Sequence, residues 1–567
     1  MTNVRVTTED FPARWHMFGG RGLSARILTE ECTPQCEPLG PENILALVPG
    51  VLSGTAAPTS GRLSVGCKSP LTGGIKEASA GGNAAQHLVK LGYRAIIVSG
   101  QPADREKRWG LVIDTDGVRL QDATDYAGMW NYPTCKKLLA NYPATASAIC
   151  IGPAGELMLK AASVACTDKD KARRPTRHAA RGGPGAVMGS KCLKWIVIDP
   201  GNARVRQPAD PKTFRERCRA FSKDYLATRH HFFKYGTSAG VPFANAMHTF
   251  PYRNRIAGQN PHADRLDGAR IQESFEQRGG GMHSCLTGCI VRCSNVVHDK
   301  DGNYKTSALE FETLALLGSC CDINDWEQVA ELDRLCDELG LDTIETGAAL
   351  AVLMDSGGMD WGDADGAIAL LQSITQRDES GLDICNGALH VGSKRDHHRI
   401  PHGKGQALAA WDPRPLKSVG ITYSSSAMGA DHTAGFVMEL GQSDEEALIA
   451  SQEEQIINAV CDSSGLCSFM QPTLDEIRGL YAAFHNEEVD RERIANLGWV
   501  CLTDEWAFND AAGFTAADDD LPTCVRDEGV GPEGTLTFQV PVDVIARVKV
   551  RQPARERLFI GGSTGGV

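Results

Sequence analysis

The sequence predicts an α+β protein: a β-rich N-terminal domain, residues 1–205, followed by two mainly helical domains, 206–405 and 406–567. Three observations predict it. In the first 200 residues the chain carries short apolar runs, ILALVPG, AIIVSG, SAICIG and LKWIVID, each bounded by Gly, Pro or Asp, the texture of buried strands joined by tight turns. Beyond them FRERCRAFSKDYLATRHHFF, DWEQVAELDRLCDELG and IETGAALAVLMDSGG are longer and apolar at helical spacing. The stretch RIPHGKGQALAAWDPRPLKSVGITYSSSAMGADHTAG then breaks that spacing with Gly, Ser and Pro and introduces a third region, again helical. The last segment, TLTFQVPVDVIARVKVRQ, alternates in places and is expected to return as strand.

A chain of 567 residues exceeds what one hydrophobic core supports, which agrees with several domains. Hydrophobic residues at 42% and charged residues at 23% exclude a largely disordered or fibrous protein. A net charge of −13 argues against a broad nucleic-acid or anionic-membrane surface and leaves any phosphate to a local basic pocket. The start, MTNVRVTTEDFPARW, has no charged-then-apolar signal pattern, and no segment offers about 18 uninterrupted apolar residues, so a cytoplasmic protein without membrane insertion is expected. In such a chain the 19 cysteines read as reduced thiols and metal ligands rather than disulfides. Cys67, Cys150, Cys166, Cys192 and Cys320 lie in apolar or Gly-rich surroundings and are expected to be small buried hydrophobes.

The strongest chemical signal is HSCLTGCIVRCSNVV, with Cys285, Cys289 and Cys293 at intervals of four. Three close thiolates plus one distant cysteine, here Cys467, are the ligand pattern of an iron–sulfur cubane. The same interval also fits a buried stripe on one helix face, and a structural zinc site is a third reading, weakened by the absence of a CxxC pair.

A second signal is an echo. Asp337-Glu-Leu-Gly340-Leu341-Asp342 and Asp462-Ser-Ser-Gly465-Leu466-Cys467 share the form DxxGL followed by Asp or Cys, and each reads as a helix ending on a left-handed glycine. Paired acidic turns in separate domains suit a quasi-symmetric ligand. The Gly-rich strings at 61–82 and 177–191, with Arg62, Lys68, Arg181 and Lys191, are candidate phosphate cradles; the second is not a P-loop, because Ser190 precedes Lys191. Gly20-x-Gly22-x-x-Ala25 reads as a chance dinucleotide match. Glu310, Glu312 and Asp431-His432 place ionisable groups beside apolar or Gly-rich backbone, as a general acid or base requires.

Taken in order, GGRGLSARIL, GPENILALVPGVLSGTAAP, SGRLSVGCKSPLTGG, ARGGPGAVMGSKCLK, the cysteine triplet, LEFET, DELGLDTIETG, GADH and DSSGLC resemble the aldehyde:ferredoxin oxidoreductase family along nearly the whole chain. The resemblance implies a tungsten (or molybdenum) bis-pyranopterin on a β-rich base, closed over by two helical domains. It implies that Arg62, Gly81 and Ala179-Ala180-Arg181 hold pterin or phosphate, with Asp337, Leu341 and Asp342 on one pterin and Asp462, Leu466 and Ser468 on the other. One 4Fe–4S cluster is expected on Cys285, Cys289, Cys293 and Cys467, and a magnesium ion bridging the phosphates at Ser79. The chain departs from the better-known pattern in three places: three residues rather than two separate Cys285 from Cys289, Ser79 replaces an asparagine, and His178 replaces an arginine.

The implied reaction oxidises a small aldehyde to a carboxylate, with Glu312 as base, His432 orienting the carbonyl and Glu310 as a second candidate base. Electrons would pass to ferredoxin or a small iron–sulfur subunit, in a homodimer or a hetero-complex. Two alternatives stay open: a catalytic subunit of a complex that reduces a carboxylic or aromatic thioester, and a non-catalytic iron–sulfur electron-transfer subunit.

Overall fold

The computed structural model describes residues 4–552. The last 15 residues assigned above to the third domain, 553–567, lie outside the described part.

Each expected N-terminal run forms a strand. Leu45–Pro49 (β1), Leu63–Lys68 (β2), Ile75–Ala80 (β3) and Ile96–Val98 (β4) make an antiparallel sheet in the order β3-β2-β1-β4. A second sheet, in the order β6-β5-β10-β7-β8-β9, holds Trp109–Asp114 (β5), Gly117–Asp122 (β6), Ser147–Cys150 (β7), Val164–Cys166 (β8), Arg177–Ala179 (β9) and Leu193–Ile198 (β10). Strand alternation explains how both sheets are buried on two faces. Leu45 and Leu47 pack with Ile149, Ile196 and Ile198 between the sheets, while Ala46 and Val48 face the helical core. Trp195 and Val197 turn outward under the helix Asn131–Leu139. The Gly-rich string 61–82 is therefore mainly the β2–β3 hairpin. Lys68 donates to the Pro34 carbonyl and Lys191 to that of Gly40.

Beyond residue 205 helices dominate, and they stop where their caps dictate. We label Gly20–Glu31 α1, Pro211–Thr228 α2, Trp326–Leu339 α3, Thr343–Asp355 α4, Asp444–Ser464 α5, Leu474–His485 α6 and Arg491–Ala512 α7. Asp325 caps α3 and Asp342 caps α4; Ser443 with Glu446 and Thr473 with Glu476 form capping boxes on α5 and α6. α3 ends on Gly340 (φ 77°, ψ 55°) and α5 on Gly465 (φ 81°, ψ 9°), the left-handed termini expected of the DxxGL turns.

The C-terminal expectation fails. Residues 535–552 form no strand: Leu536 makes an isolated bridge to Val530, and a short helix runs Val542–Ala546 after Pro541. A strand needs a ladder partner, and here Phe538 instead fills the space above Gly420, where an added Cβ would lie 2.2 Å from its ring. The five cysteines expected to be structural are all buried. Among the described residues no helix is long and apolar enough to cross a membrane.

Candidate cofactor and active site

The two DxxGL turns are held by matching hydrogen bonds. In the first, Leu341 N donates to Cys336 O (2.9 Å), Asp342 N to Ala161 O (2.9 Å), and Gly340 O accepts from Ser163 N (2.8 Å). In the second, Leu466 N donates to Cys461 O (3.2 Å), Cys467 N to Thr59 O (3.1 Å), and Gly465 O accepts from Arg62 N (3.2 Å). Each turn thus leans on one sheet of the base. The approach is so close that only glycine fits opposite: a Cβ on Gly152 would lie 2.3 Å from Leu339 O, and one on Gly50 2.1 Å from Gly465 N. Gly20, at φ 45°, meets Asp462 O in the same way, so the Gly20/Gly22 pair packs α1 against the second turn and binds no dinucleotide.

The cysteine triplet is not helical. It occupies the connection between Gly280–His283 and Ser294–His298, two paired strands, with positive φ at Gly288 and Arg292, and the helix-stripe alternative falls. Thr59 is the hub that fixes this loop: its N–H donates to Gly288 O (3.0 Å), its hydroxyl accepts from Ile290 N (3.2 Å), and its carbonyl holds Cys467. Gly82 N donates to Cys285 O (3.0 Å), and a Cβ on Gly81 would stand 3.3 Å from the Cys285 sulfur. All four predicted cysteines therefore converge, Cys285 included. A hydrogen bond with Cys285 brings the Cys289 thiol down to about 6, while burial keeps Cys293 and Cys467 raised. Arg62 faces Cys467 and Cys285, and Arg177, paired to Asp168 at 2.6 Å, faces Cys285. Both guanidiniums favour thiolates there. Ser468 is exposed, next to Cys467.

Arg62 also answers the magnesium expectation. Its Nε donates to Ser79 Oγ (2.6 Å) and its Nη2 to Ser79 O (3.0 Å), so a dication on either oxygen would face a fixed positive charge. The residues do not fit magnesium at Ser79. Asp462 lies between Arg21 and Arg62, and burial still raises its carboxyl to about 6. Arg21, wholly buried on α1, makes a bidentate pair with Glu505 of α7 at 2.8 Å and reaches Asp462 at 3.6 Å.

Around the first turn, Arg181 donates to Ala430 O (2.8 Å) and Ala407 O (2.5 Å), with Asp342 Oδ2 at 3.5 Å. Burial pushes Glu345 up to about 7, against the opposing charge of Arg181. Ala179 closes β9 and Ala180 leads into this arginine; Leu341 and Leu466 are fully packed beneath their turns. Asp337 takes His178 Nε2 at 3.0 Å on one oxygen and the Tyr132 hydroxyl at 3.1 Å on the other. A carboxylate accepts about four hydrogen bonds, so Asp337 retains capacity for a ligand. Arg181 Nε, Asp342 Oδ2, Thr346 Oγ1 and Gln406 Oε1 are buried without a hydrogen-bond partner among the described residues. Thr346 Oγ1 and Gln406 Oε1, with the Arg181–Asp342 pair 3.5 Å apart, leave hydrogen-bonding capacity beside a tight turn, which fits a polar group such as a pterin.

Glu312 and His432 meet next to this arginine. Glu312 Oε2 accepts from Ala410 N (2.7 Å), while its Oε1 faces His432 Nε2 at 3.7 Å and has no hydrogen-bond partner among the described residues. His432 follows Asp431, which is ion-paired to Lys76 at 2.5 Å. Burial works to raise the Asp431 carboxyl, but Lys76 and Arg181 hold it well below the carboxylate range. Phe311, Trp411 and Phe436 form an aromatic wall, with ring centroids 4.7 and 4.9 Å apart, and His432 meets Phe436 edge-on. Glu310 goes elsewhere. Its extended backbone turns it toward Thr237, Arg177 and Cys293, on the cluster side, so it is no alternative partner for His432.

Sequence reading missed Thr59, Lys76, Arg21 and Arg177. A lysine or arginine in an otherwise small or apolar strand or helix (KEASA, GRGLSA) was the available signal, because such a charge is buried only when paired.

Two sheets carrying two equivalent turns, a four-cysteine nest at one turn and an acid–imidazole pair at the other define an α+β redox enzyme. A family model for the aldehyde ferredoxin oxidoreductase N-terminal domain matches residues 1–200, and one for its domains 2 and 3 matches residues 215–547; the chain belongs to this family. It is 31% identical to the tungsten-containing aldehyde ferredoxin oxidoreductase of Pyrococcus furiosus, over 94% of this chain and 90% of that protein. The Thermococcus kodakarensis protein of the same name is 32% identical over 93% and 89%. The WOR-like subunit of the Pyrococcus furiosus aliphatic sulfonate oxidoreductase is 28% identical over 81% and 76%. Among solved structures, the fold matches the active-site complex BamBC of benzoyl coenzyme A reductase with a TM-score of 0.75 at 20% identity, covering 92% of this chain and 88% of that one.

Proposed function

We propose that this chain oxidises a small aldehyde to the carboxylate at a tungsten (or molybdenum) bis-pyranopterin and passes the electrons through a 4Fe–4S cluster to ferredoxin. The observation that carries this reading is the Glu312–His432 pair, in which Glu312 Oε1 faces His432 Nε2 at 3.7 Å and has no hydrogen-bond partner among the described residues, beside an aromatic wall and next to the Arg181–Asp342 turn. The net change is aldehyde plus water to carboxylate, three protons and two electrons. When bound, the metal–pterin group supplies the two-electron acceptor. The chain supplies position and proton handling. Glu312, pinned through Oε2 by Ala410 N–H, offers Oε1 to take a proton from water, and His432 Nε2 donates to the carbonyl oxygen. The aromatic wall excludes bulk water from that oxygen.

Asp342 and Leu341 with Arg181 would hold one pterin, and Asp462 and Leu466 with Arg62 the other. Arg62 takes at Ser79 the charge-neutralising part expected of magnesium. Cys285, Cys289, Cys293 and Cys467 would ligate the cluster, whose loop is exposed at Thr287, Gly288 and Arg292, with Lys169 nearby. These cations suit an acidic iron–sulfur carrier in the cytoplasm.

The test is anaerobic purification followed by metal, pterin and turnover measurements. The reading expects tungsten or molybdenum, about four irons per chain, and aldehyde-dependent reduction of ferredoxin. Protein with neither metal and iron far below that ratio overturns it. A second reading, the catalytic subunit of a complex reducing a carboxylic or aromatic thioester, draws support from the relative named as a subunit. Co-purifying partners and no aldehyde turnover would favour it.

A further inference from the structure

Outside the two turns, His16, His485 and Glu487 each present one ligand atom, and the three atoms lie within 4.8 Å of one another. His16 caps the turn Ala13–Trp15, anchored by buried Trp15, while His485 ends α6. Asn486, in the left-handed region at φ 55°, ψ 46°, reverses the chain and brings Glu487 back beside His485.

The hydrogen-bonding at His16 is inconsistent for a neutral ring. Nδ1 lies 3.1 Å from Ala13 O, an acceptor, so it carries the proton and leaves the lone pair on Nε2. Yet Nε2 faces a second acceptor, Glu487 Oε1, at 3.1 Å. Either a second ring proton or a metal cation between them resolves the conflict, and the unpartnered His485 Nε2 beside them favours the metal. A backbone carbonyl fixing Nδ1–H while Nε2 is presented is how proteins orient histidine ligands to metals. Glu487 is oriented likewise, since Arg493 Nη2 holds its Oε2 at 3.0 Å. His485 stands edge-on to His16 with ring centroids 5.4 Å apart, and its Nε2 is buried with no hydrogen-bond partner among the described residues. Ligand bonds of about 2.0–2.1 Å at a tetrahedral angle place two donor atoms roughly 3.3 Å apart, close to the 3.1 Å between His16 Nε2 and Glu487 Oε1.

We propose that His16, His485 and Glu487 form a divalent transition-metal site, zinc by ligand chemistry, that clips the N-terminal segment to the α6–α7 connection. Two imidazoles and one carboxylate are a borderline donor set suited to Zn²⁺, with the fourth position left to water. The side chains of His16 and Glu487 are 45% and 37% exposed, which gives the ion a route in. Arg94 and Arg206 stand near His485 and oppose a dication, but each is tied to a carbonyl, Phe18 O and Val51 O. The clip joins residues 471 positions apart in the chain, so its effect is on stability and not on turnover.

The test is zinc equilibrium dialysis and an anomalous-scattering map of zinc-soaked crystals, on the purified holoenzyme and its His16→Ala and Glu487→Gln variants. The proposal expects one zinc per chain in excess of the variants, an anomalous peak between the three side chains, and a zinc-dependent rise in Tm that both variants lose. Loss of a direct ligand should weaken binding by at least the about 10–100-fold that loss of an outer partner costs. Aldehyde oxidation and iron content should stay unchanged in both variants. Equal zinc uptake by all three proteins, or no peak at this position, overturns the proposal and leaves a charged His16–Glu487 ion pair.

Discussion

Replacing Glu312 by glutamine tests the assignment of the base with little structural disturbance. The glutamine carbonyl can keep the 2.7 Å hydrogen bond from Ala410 N–H that Oε2 accepts now, and its amide nitrogen then occupies the place of Oε1, 3.7 Å from His432. Volume and the backbone contact are retained, so Tm and metal content should match wild type. What disappears is the proton acceptor. A positioned general base contributes about 10²–10⁴ in rate, or roughly 3–5 kcal/mol of barrier. The assay is anaerobic steady-state oxidation of a small aldehyde, scaled to tungsten and iron content measured on the same sample. The fall should be in kcat, with KM little changed. Turnover within about threefold of wild type, or a loss only in proportion to missing metal, would falsify the role given to Glu312.

Three further outcomes follow from the geometry. Arg21→Met leaves the Glu505 carboxylate buried and unpaired at a cost of about 3–5 kcal/mol, seen as a Tm lowered by several degrees; Arg21→Met/Glu505→Gln should recover most of it, and no recovery would show that the pair is not the cause. Gly50→Ala and Gly152→Ala each press a methyl into the backbone of one turn, so each should reduce bound tungsten and pterin; Gly50→Ala alone should also reduce iron, because its turn carries Cys467, and equal iron in both variants would contradict that. Burial holds the His87 imidazole down at about 4, whereas the unfolded chain binds that proton near 6.5. The unfolded state therefore takes up the proton first on acidification, and stability falls as pH drops from about 6.5 to 4, by about 3 kcal/mol in all. Tm measured across that window should fall less steeply for His87→Gln, and parallel curves would show that His87 is not responsible.

Much of the architecture was legible because its signals are local. The strands at 45–49, 147–150 and 193–198 and the helices at 326–339 and 343–355 follow from apolar period and caps within a dozen residues. The DxxGL turns were legible for the same reason, since Gly340 and Gly465 announce their own conformation. Other features were not local. The four-residue cysteine interval fits a helix as well as a loop, and only Thr59, more than 200 positions away, decides for the loop by bonding Gly288 and Ile290. The alternation of TLTFQV suits a strand, but among the described residues no neighbouring strand offers it a ladder, and Phe538 goes to Gly420 instead.

The four cysteines began as a pattern of spacing and end as a place. By itself the sequence determined the family, the β-rich base, the helices above it and the residue types available for ligation and proton transfer, because composition, period and motif order are properties of the chain. Tertiary structure alone decided that Arg62 occupies both oxygens of Ser79, that Glu310 faces the cysteines while Glu312 faces His432, and that Lys76 reaches Asp431. The physical reason is that charges in a low-dielectric interior are fixed by whichever partners the packing brings within a few ångströms, and those partners lie hundreds of residues apart.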